Sequence, residues 1–72
     1  MLTDDRNTVG LTARELDVLQ LIAAEKPDKE IAHQLEISER TVRYHLESIN
    51  KKLGTVTRVG AVAEAIRLNL IS

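Results

Sequence analysis

The residues from Lys29 to Leu46 leave this chain little choice of fold. Ile31, Leu35, Ile37, Val42 and Leu46 enter one small core if the segment is a short helix, a tight turn and a longer helix. Ala32 is small, at a point where two helices must cross closely. The longer helix then turns Arg40, Tyr44, Glu47 and Lys51 to the face opposite its apolar stripe. This is the layout of a helix-turn-helix.

The rest of the chain reads as scaffold for that unit. Seventy-two residues make one domain, with only a few kcal/mol of stability to lose. Tyr44 is the only aromatic, so the core is aliphatic, built from Leu, Ile, Val and Ala. There is no cysteine, hence no disulfide and no thiolate metal site, which fits a reducing cytoplasm. No apolar run approaches the ~20 residues of a membrane span, and no basic-then-apolar signal segment is present. No strand pattern and no internal repeat is visible.

The spacing predicts four helices and an all-α fold. Residues 1–10 are polar and acidic and read as a flexible tail or linker remnant; Asp4-Asp5 reads as part of that solvated tail. The domain proper is expected over residues 11–72. The first helix starts at Thr12, where Thr12 and Glu15 form a capping box and Leu11 staples onto Leu16. It is expected to fray near Glu25–Lys26, ahead of Pro27. Asp28 is the expected cap of the second helix, and the helix-turn-helix spans about 28–47. If the turn demands positive φ at Glu36, the strain there is on the order of 1 kcal/mol. Ser38 caps the third helix, about 39–53, with Ile37 stapled onto Val42 and Gly54 closing its end. Thr57 caps a fourth helix at about 58–69. On it, Val59, Val62, Ala63, Ile66 and Leu70 are expected to face the core. Ala61, Ala65 and Leu68 form a second stripe, expected to meet a partner helix.

Net charge is −1, which by itself argues against nucleic acid. Its distribution does not. Residues 39–58 carry five basic against two acidic side chains, whereas residues 1–38 carry four basic against eight acidic. The basic surplus lies on the third helix and its exit, as a helix that enters the DNA major groove requires. On that helix Tyr44 is not needed for packing, and Arg43 flanks the outward face with a fork that fits a guanine edge. Lys51 and Lys52 are expected to meet phosphates, as is Lys29 at the start of the second helix. Ser38 is first a cap and second a phosphate ligand. The Thr41 amide sits at the positive helix end, where a phosphate is welcome. Glu47 either accepts from a cytosine amino group or pairs with Lys51 one turn on; the pair is favoured. His33 and His45 lie twelve apart without a cysteine, which does not make a metal site. His45 beside Ser48 has neither an orienting acid nor an oxyanion site, so no catalysis and no cofactor is expected.

Several segments resemble one known family. Leu11-Thr12-Ala13-Arg14-Glu15-Leu16-Asp17-Val18-Leu19 resembles the L-T-x-R-E-x-x-V-L opening of the LuxR/NarL/FixJ-type (GerE-like) DNA-binding domain. Lys29-Glu30-Ile31-Ala32, Ile37 through Leu46, Lys52-Leu53-Gly54 and Arg58 through Val62 are similar to its later segments. The resemblance covers about Leu11 to Ile71. It implies a compact tetrahelical domain that binds double-stranded DNA sequence-specifically, as the output half of a bacterial transcription regulator, often a two-component response regulator. It further implies a third helix in the major groove; the contacts expected are from Lys29, Ser38, Arg40, Thr41, Arg43, Tyr44, Glu47, Ser48, Lys51 and Lys52. A homodimer through the fourth helix, by Ala61, Ala65 and Leu68, would follow. An N-terminal receiver or sensor domain and RNA polymerase are the further partners it suggests. Three departures stand out: Glu25 where the family usually has glycine, Arg43 in place of the commoner lysine, and Glu47 where some relatives carry a basic residue. A sigma-factor region-4-like module and a helical protein-interaction adaptor remain open alternatives at this point.

Overall fold

The computed structural model describes residues 9–72. The tail reading of residues 1–8, with Asp4-Asp5, lies outside the described residues. Four helices follow in order: α1 (Ala13–Ala23), α2 (Asp28–Leu35), α3 (Glu39–Leu53) and α4 (Arg58–Arg67). No strand occurs among the described residues. α3 packs against all three other helices, and α1 also touches α2 and α4. The core between them holds Val18, Leu19, Ile22, Ile31, Ala32, Val42, Ile49, Ala61 and Ala65, closed at the ends by Leu11 and Ile71.

Local chemistry starts the helices much as the spacing requires. Thr12 caps α1: its hydroxyl accepts from the Glu15 amide at 3.1 Å, and Glu15 Oε1 accepts from the Thr12 amide at 2.9 Å. Ser38 and Thr57 accept from the Thr41 and Gly60 amides at 3.0 and 2.9 Å and so cap α3 and α4. The start of α2 differs from expectation. Pro27 is its N-cap, without a side-chain hydrogen bond, and Asp28 is the first helical residue. The Asp28 carboxylate is instead taken by the Arg58 guanidinium at the start of α4. A cap competes with any better partner, and this one arrives from a helix 30 residues away.

The helix ends share one geometry. In each, the residue just past the helix takes positive φ: Glu25 at 64°, Glu36 at 59°, Gly54 at 72° and Asn69 at 61°. The next amide then reaches back five residues: Lys26 to Leu21, Ile37 to Ala32, Thr55 to Asn50 and Leu70 to Ala65, at 2.8–3.0 Å. This is the Schellman closure, which satisfies carbonyls that the helix end would leave bare. α1 therefore does not fray at Glu25–Lys26; it stops in a hydrogen-bonded turn. Glu25 adopts the left-handed backbone that a glycine takes without strain. Glu36 meets the condition set for it by the sequence.

The fourth helix corrects the sequence reading most. Ala61 and Ala65 are completely buried, while Val59 is 77% and Ile66 47% exposed. Ala63 is exposed as well, Val62 and Leu68 are half-buried, and Leu68 is the C-cap. Val62 and Leu70 pack against the core as expected, but Val59, Ala63 and Ile66 face outward, and Ala61 and Ala65 of the expected partner stripe lie inside. Alanine lets α4 approach α1 and α3 closely, so the small side chains went inside and the larger ones stayed out.

Glycine at Glu25 or Glu36 removes the left-handed strain at the cost of a freer unfolded chain. Glu25→Gly and Glu36→Gly are each expected to stabilise the fold by about 0.5–1 kcal/mol. Ser38→Ala is expected to cost about 1 kcal/mol through the lost cap. Urea denaturation checks all three: the midpoint rises for the glycine variants and falls for the alanine variant.

Candidate nucleic-acid interface

The pattern of α3 divides it cleanly. Val42 and Ile49 are buried, Leu46 and Leu53 pack partly buried beside them, and together they form the inward row. Arg40, Arg43, Tyr44, Glu47 and Lys51 are exposed on the other side. Tyr44 is 68% exposed, and its ring meets only that of His45, with centroids 6.3 Å apart. Glu47 and Lys51 make no ion pair among the described residues, so the favoured pairing does not form. Lys29 is exposed at the first turn of α2.

Ser38 and Thr41 close on each other at the start of α3. Besides the cap, their hydroxyls lie 2.9 Å apart. The Thr41 amide, expected to meet a phosphate, is already used by Ser38 Oγ.

Ser48 and Lys52 turn their polar groups toward α1 rather than to the outward face. Ser48 Oγ donates to Glu15 Oε2 at 2.7 Å. Lys52 Nζ donates to Glu15 Oε1 at 2.8 Å and to the Gly10 carbonyl at 3.1 Å. Both residues were expected at DNA, and here both are engaged inside the fold. A half-exposed lysine chooses the strongest anion within reach, and a carboxylate held in the fold is always present. Glu15 is only 4% exposed. No buried side-chain polar atom among the described residues lacks a hydrogen-bond partner.

The electrostatics of Glu15 follow from this setting. Burial pushes its carboxyl up. Hydrogen bonds from the Lys52 ammonium, the Thr12 amide and the Ser48 hydroxyl, with the Lys52 charge, outweigh burial and hold it below its ordinary 4.5. The capping box alone marked Glu15 in the sequence. Its partners on α3 lie 33 and 37 residues away, beyond any local signal.

A second feature sits beside α4. An open groove of about 900 Å³ runs between the end of α1, the start of α2 and α4. Ile22, Ala23, Val59, Val62, Ala63 and Ile66 make it largely apolar, and Arg58 and Asp28 are on its rim.

Four helices around an aliphatic core, with a bare basic helix face, define a helix-turn-helix DNA-binding domain. Residues 9–65 match the family described as "Bacterial regulatory proteins, luxR family", and the chain belongs to that family. It is 47% identical over 58 residues to the spore germination protein GerE of Bacillus subtilis, covering 81% of this chain and 78% of that one. It is 44% identical over 59 residues to the nitrate/nitrite response regulator protein NarL of Escherichia coli. That match covers 82% of this chain but only 27% of NarL. The solved structure of the transcription factor GerE superposes with a TM-score of 0.83 at 42% identity, over 86% of this chain and 92% of that one. The VqmA dimer of Vibrio cholerae, a LuxR-type receptor, gives 0.80 at 30% identity, over 93% of this chain and 30% of that one.

The depressed Glu15 carboxyl has a pH consequence. Its contribution to stability is complete well above pH 4.5 and is lost as the pH falls through the window beneath that value. Glu15→Met has nothing to titrate there. The stability gap between parent and variant is therefore expected to narrow below pH 4.5, in urea denaturations run from neutral to acid pH. A gap that stays constant would mean that Glu15 is not ion-paired in the fold.

Proposed function

We propose that this domain binds double-stranded DNA sequence-specifically, with α3 in the major groove, as the output unit of a cytoplasmic transcription regulator. The carrying observation is the row of exposed side chains from Arg40 to Lys51, set on a helix whose other face is locked into the core. Arg43 takes the base-reading role, because its fork matches a guanine edge. Tyr44, Arg40 and Glu47 line the same groove wall. Lys51 and Lys29 neutralise phosphates, which supplies affinity without sequence preference.

The same reading assigns self-association to α4, through Val59, Ala63 and Ile66. These exposed apolar side chains flank the groove against α1, so two copies related by a two-fold can each set a ridge beside the other's groove. The area is small, so the isolated domain associates weakly, in the micromolar range or above. NarL is named a response regulator, and this chain matches 27% of it. That likeness supports a place in two-component signalling, with a receiver domain as covalent partner and RNA polymerase as the downstream one.

Binding to duplexes selected from a random pool, then to their single-base variants at two salt concentrations, tests the reading. Arg43→Ala is expected to relax discrimination at one base pair per half-site by ~1–3 kcal/mol. Lys51→Ala is expected to weaken all sequences alike and to lower the salt slope by about one. If Arg43→Ala weakens every variant equally, Arg43 is a phosphate ligand and the base-reading role is wrong. Ile66→Glu is expected to leave the fold intact and abolish association in sedimentation; a parent that is monomeric both free and on DNA removes the α4 interface.

A further inference from the structure

We infer that Glu15 is a positioning residue for DNA recognition. Its buried carboxylate, with Ser48 and Lys52, sets the rotation of α3 and so the aim of the side chains that read bases. The inference rests on the reading of α3 as the recognition helix.

The inward row of α3 fixes which face is buried but leaves the fine rotation to directed bonds. Val42, Leu46, Ile49 and Leu53 are aliphatic, and apolar burial is non-directional. With no aromatic in the core, no flat ring keys α3 against its neighbours. Directed bonds come instead from one carboxylate. Glu15 Oε2 takes the Ser48 hydroxyl at 2.7 Å, and Oε1 takes the Lys52 ammonium at 2.8 Å. Ser48 and Lys52 are one helical turn apart, so the carboxylate grips two successive turns of α3. Its other attachment is rigid, since Oε1 also accepts from the Thr12 amide that starts α1. Lys52 extends the clamp to the Gly10 carbonyl. Charge-assisted bonds of this kind are short and directional.

The consequence is selective. Side-chain tips stand ~5–6 Å from a helix axis, so a rotation of about 10° displaces them by about 1 Å. A base-edge hydrogen bond fails at that displacement. A lysine reaching a phosphate follows it by changing rotamer, because its charge acts as a point. Loosening the clamp therefore lowers specific binding and spares non-specific binding. A merely structural role predicts otherwise: unfolding part of the population lowers both affinities equally and leaves their ratio alone.

The experiment measures the ratio of specific to non-specific duplex affinity for the parent and Glu15→Met, with the folded fraction checked by circular dichroism. The ratio is expected to fall about tenfold, the equivalent of about 1.4 kcal/mol, with the salt slope of non-specific binding unchanged. A folded Glu15→Met with the parent's ratio overturns the inference. If Glu15→Met does not fold, Ser48→Ala removes one clamp bond, and its ratio is expected to fall about threefold; an unchanged ratio again overturns it. Lys52→Met is expected to keep the parent's salt slope. A slope lower by about one makes Lys52 a phosphate ligand and overturns the clamp. Arg43→Ala separates this inference from the reading beneath it. If Arg43→Ala lowers the ratio and Glu15→Met does not, α3 is the reader and the clamp is wrong. If neither lowers it, the reading of α3 falls and takes the clamp with it.

Discussion

Everything in this structure depends on burying one face of α3 in a core that has no aromatic to fill it. Ile49 and Val42 lie at or near zero exposure beneath Ile31, Val18 and Leu19, and each of the other helices packs on that row. Aliphatic side chains of similar size fill space well only when backbones come close, which explains the alanines. Ala32, Ala61 and Ala65 are the points where α2 and α4 approach their neighbours. The same demand pushes the larger Val59 and Ile66 to the surface, where they become material for an interface.

A domain of this size also has little to spare at its helix ends. All four helices close with a left-handed residue, and only at Gly54 is that residue glycine. Glu25, Glu36 and Asn69 carry the strain because the closures satisfy carbonyls and hold the turns between helices. The turn at Glu36 joins α2 to α3 and sets the angle between them. Its backbone bonds keep that angle even with a side chain that prefers another conformation.

Charge is distributed with a division of labour that the total of −1 conceals. Of the five basic residues in positions 39–58, Lys52 is held by Glu15 and Arg58 by Asp28. Arg40, Arg43 and Lys51 remain on the exposed face of α3. The two committed cations tie α3 to α1 and α4 to α2, so Glu15 and Asp28 from the first half of the chain serve as fasteners. What is left for a polyanion is a narrow stripe rather than a broad basic surface. Such a stripe suits a single helix laid in a groove.

The family resemblance, the four helices, the caps at Thr12, Ser38 and Thr57 and the two faces of α3 were legible in the amino-acid sequence. The caps and the helix faces rest on residues one helical turn apart, repeated along the chain, and side-chain spacing reports that range faithfully; the resemblance rests on short segments that the sequence shows in order. The tertiary structure alone decided the rest. Periodicity shows that α4 has two apolar stripes but not which of them is inward; close packing against α1 and α3 chose the alanines. Composition shows that Ser48, Lys52 and Asp28 are polar and near helix surfaces, but not what they bind. Their partners stand 30 to 37 residues away, and only the folded chain brings a buried carboxylate or a guanidinium within 3 Å of them.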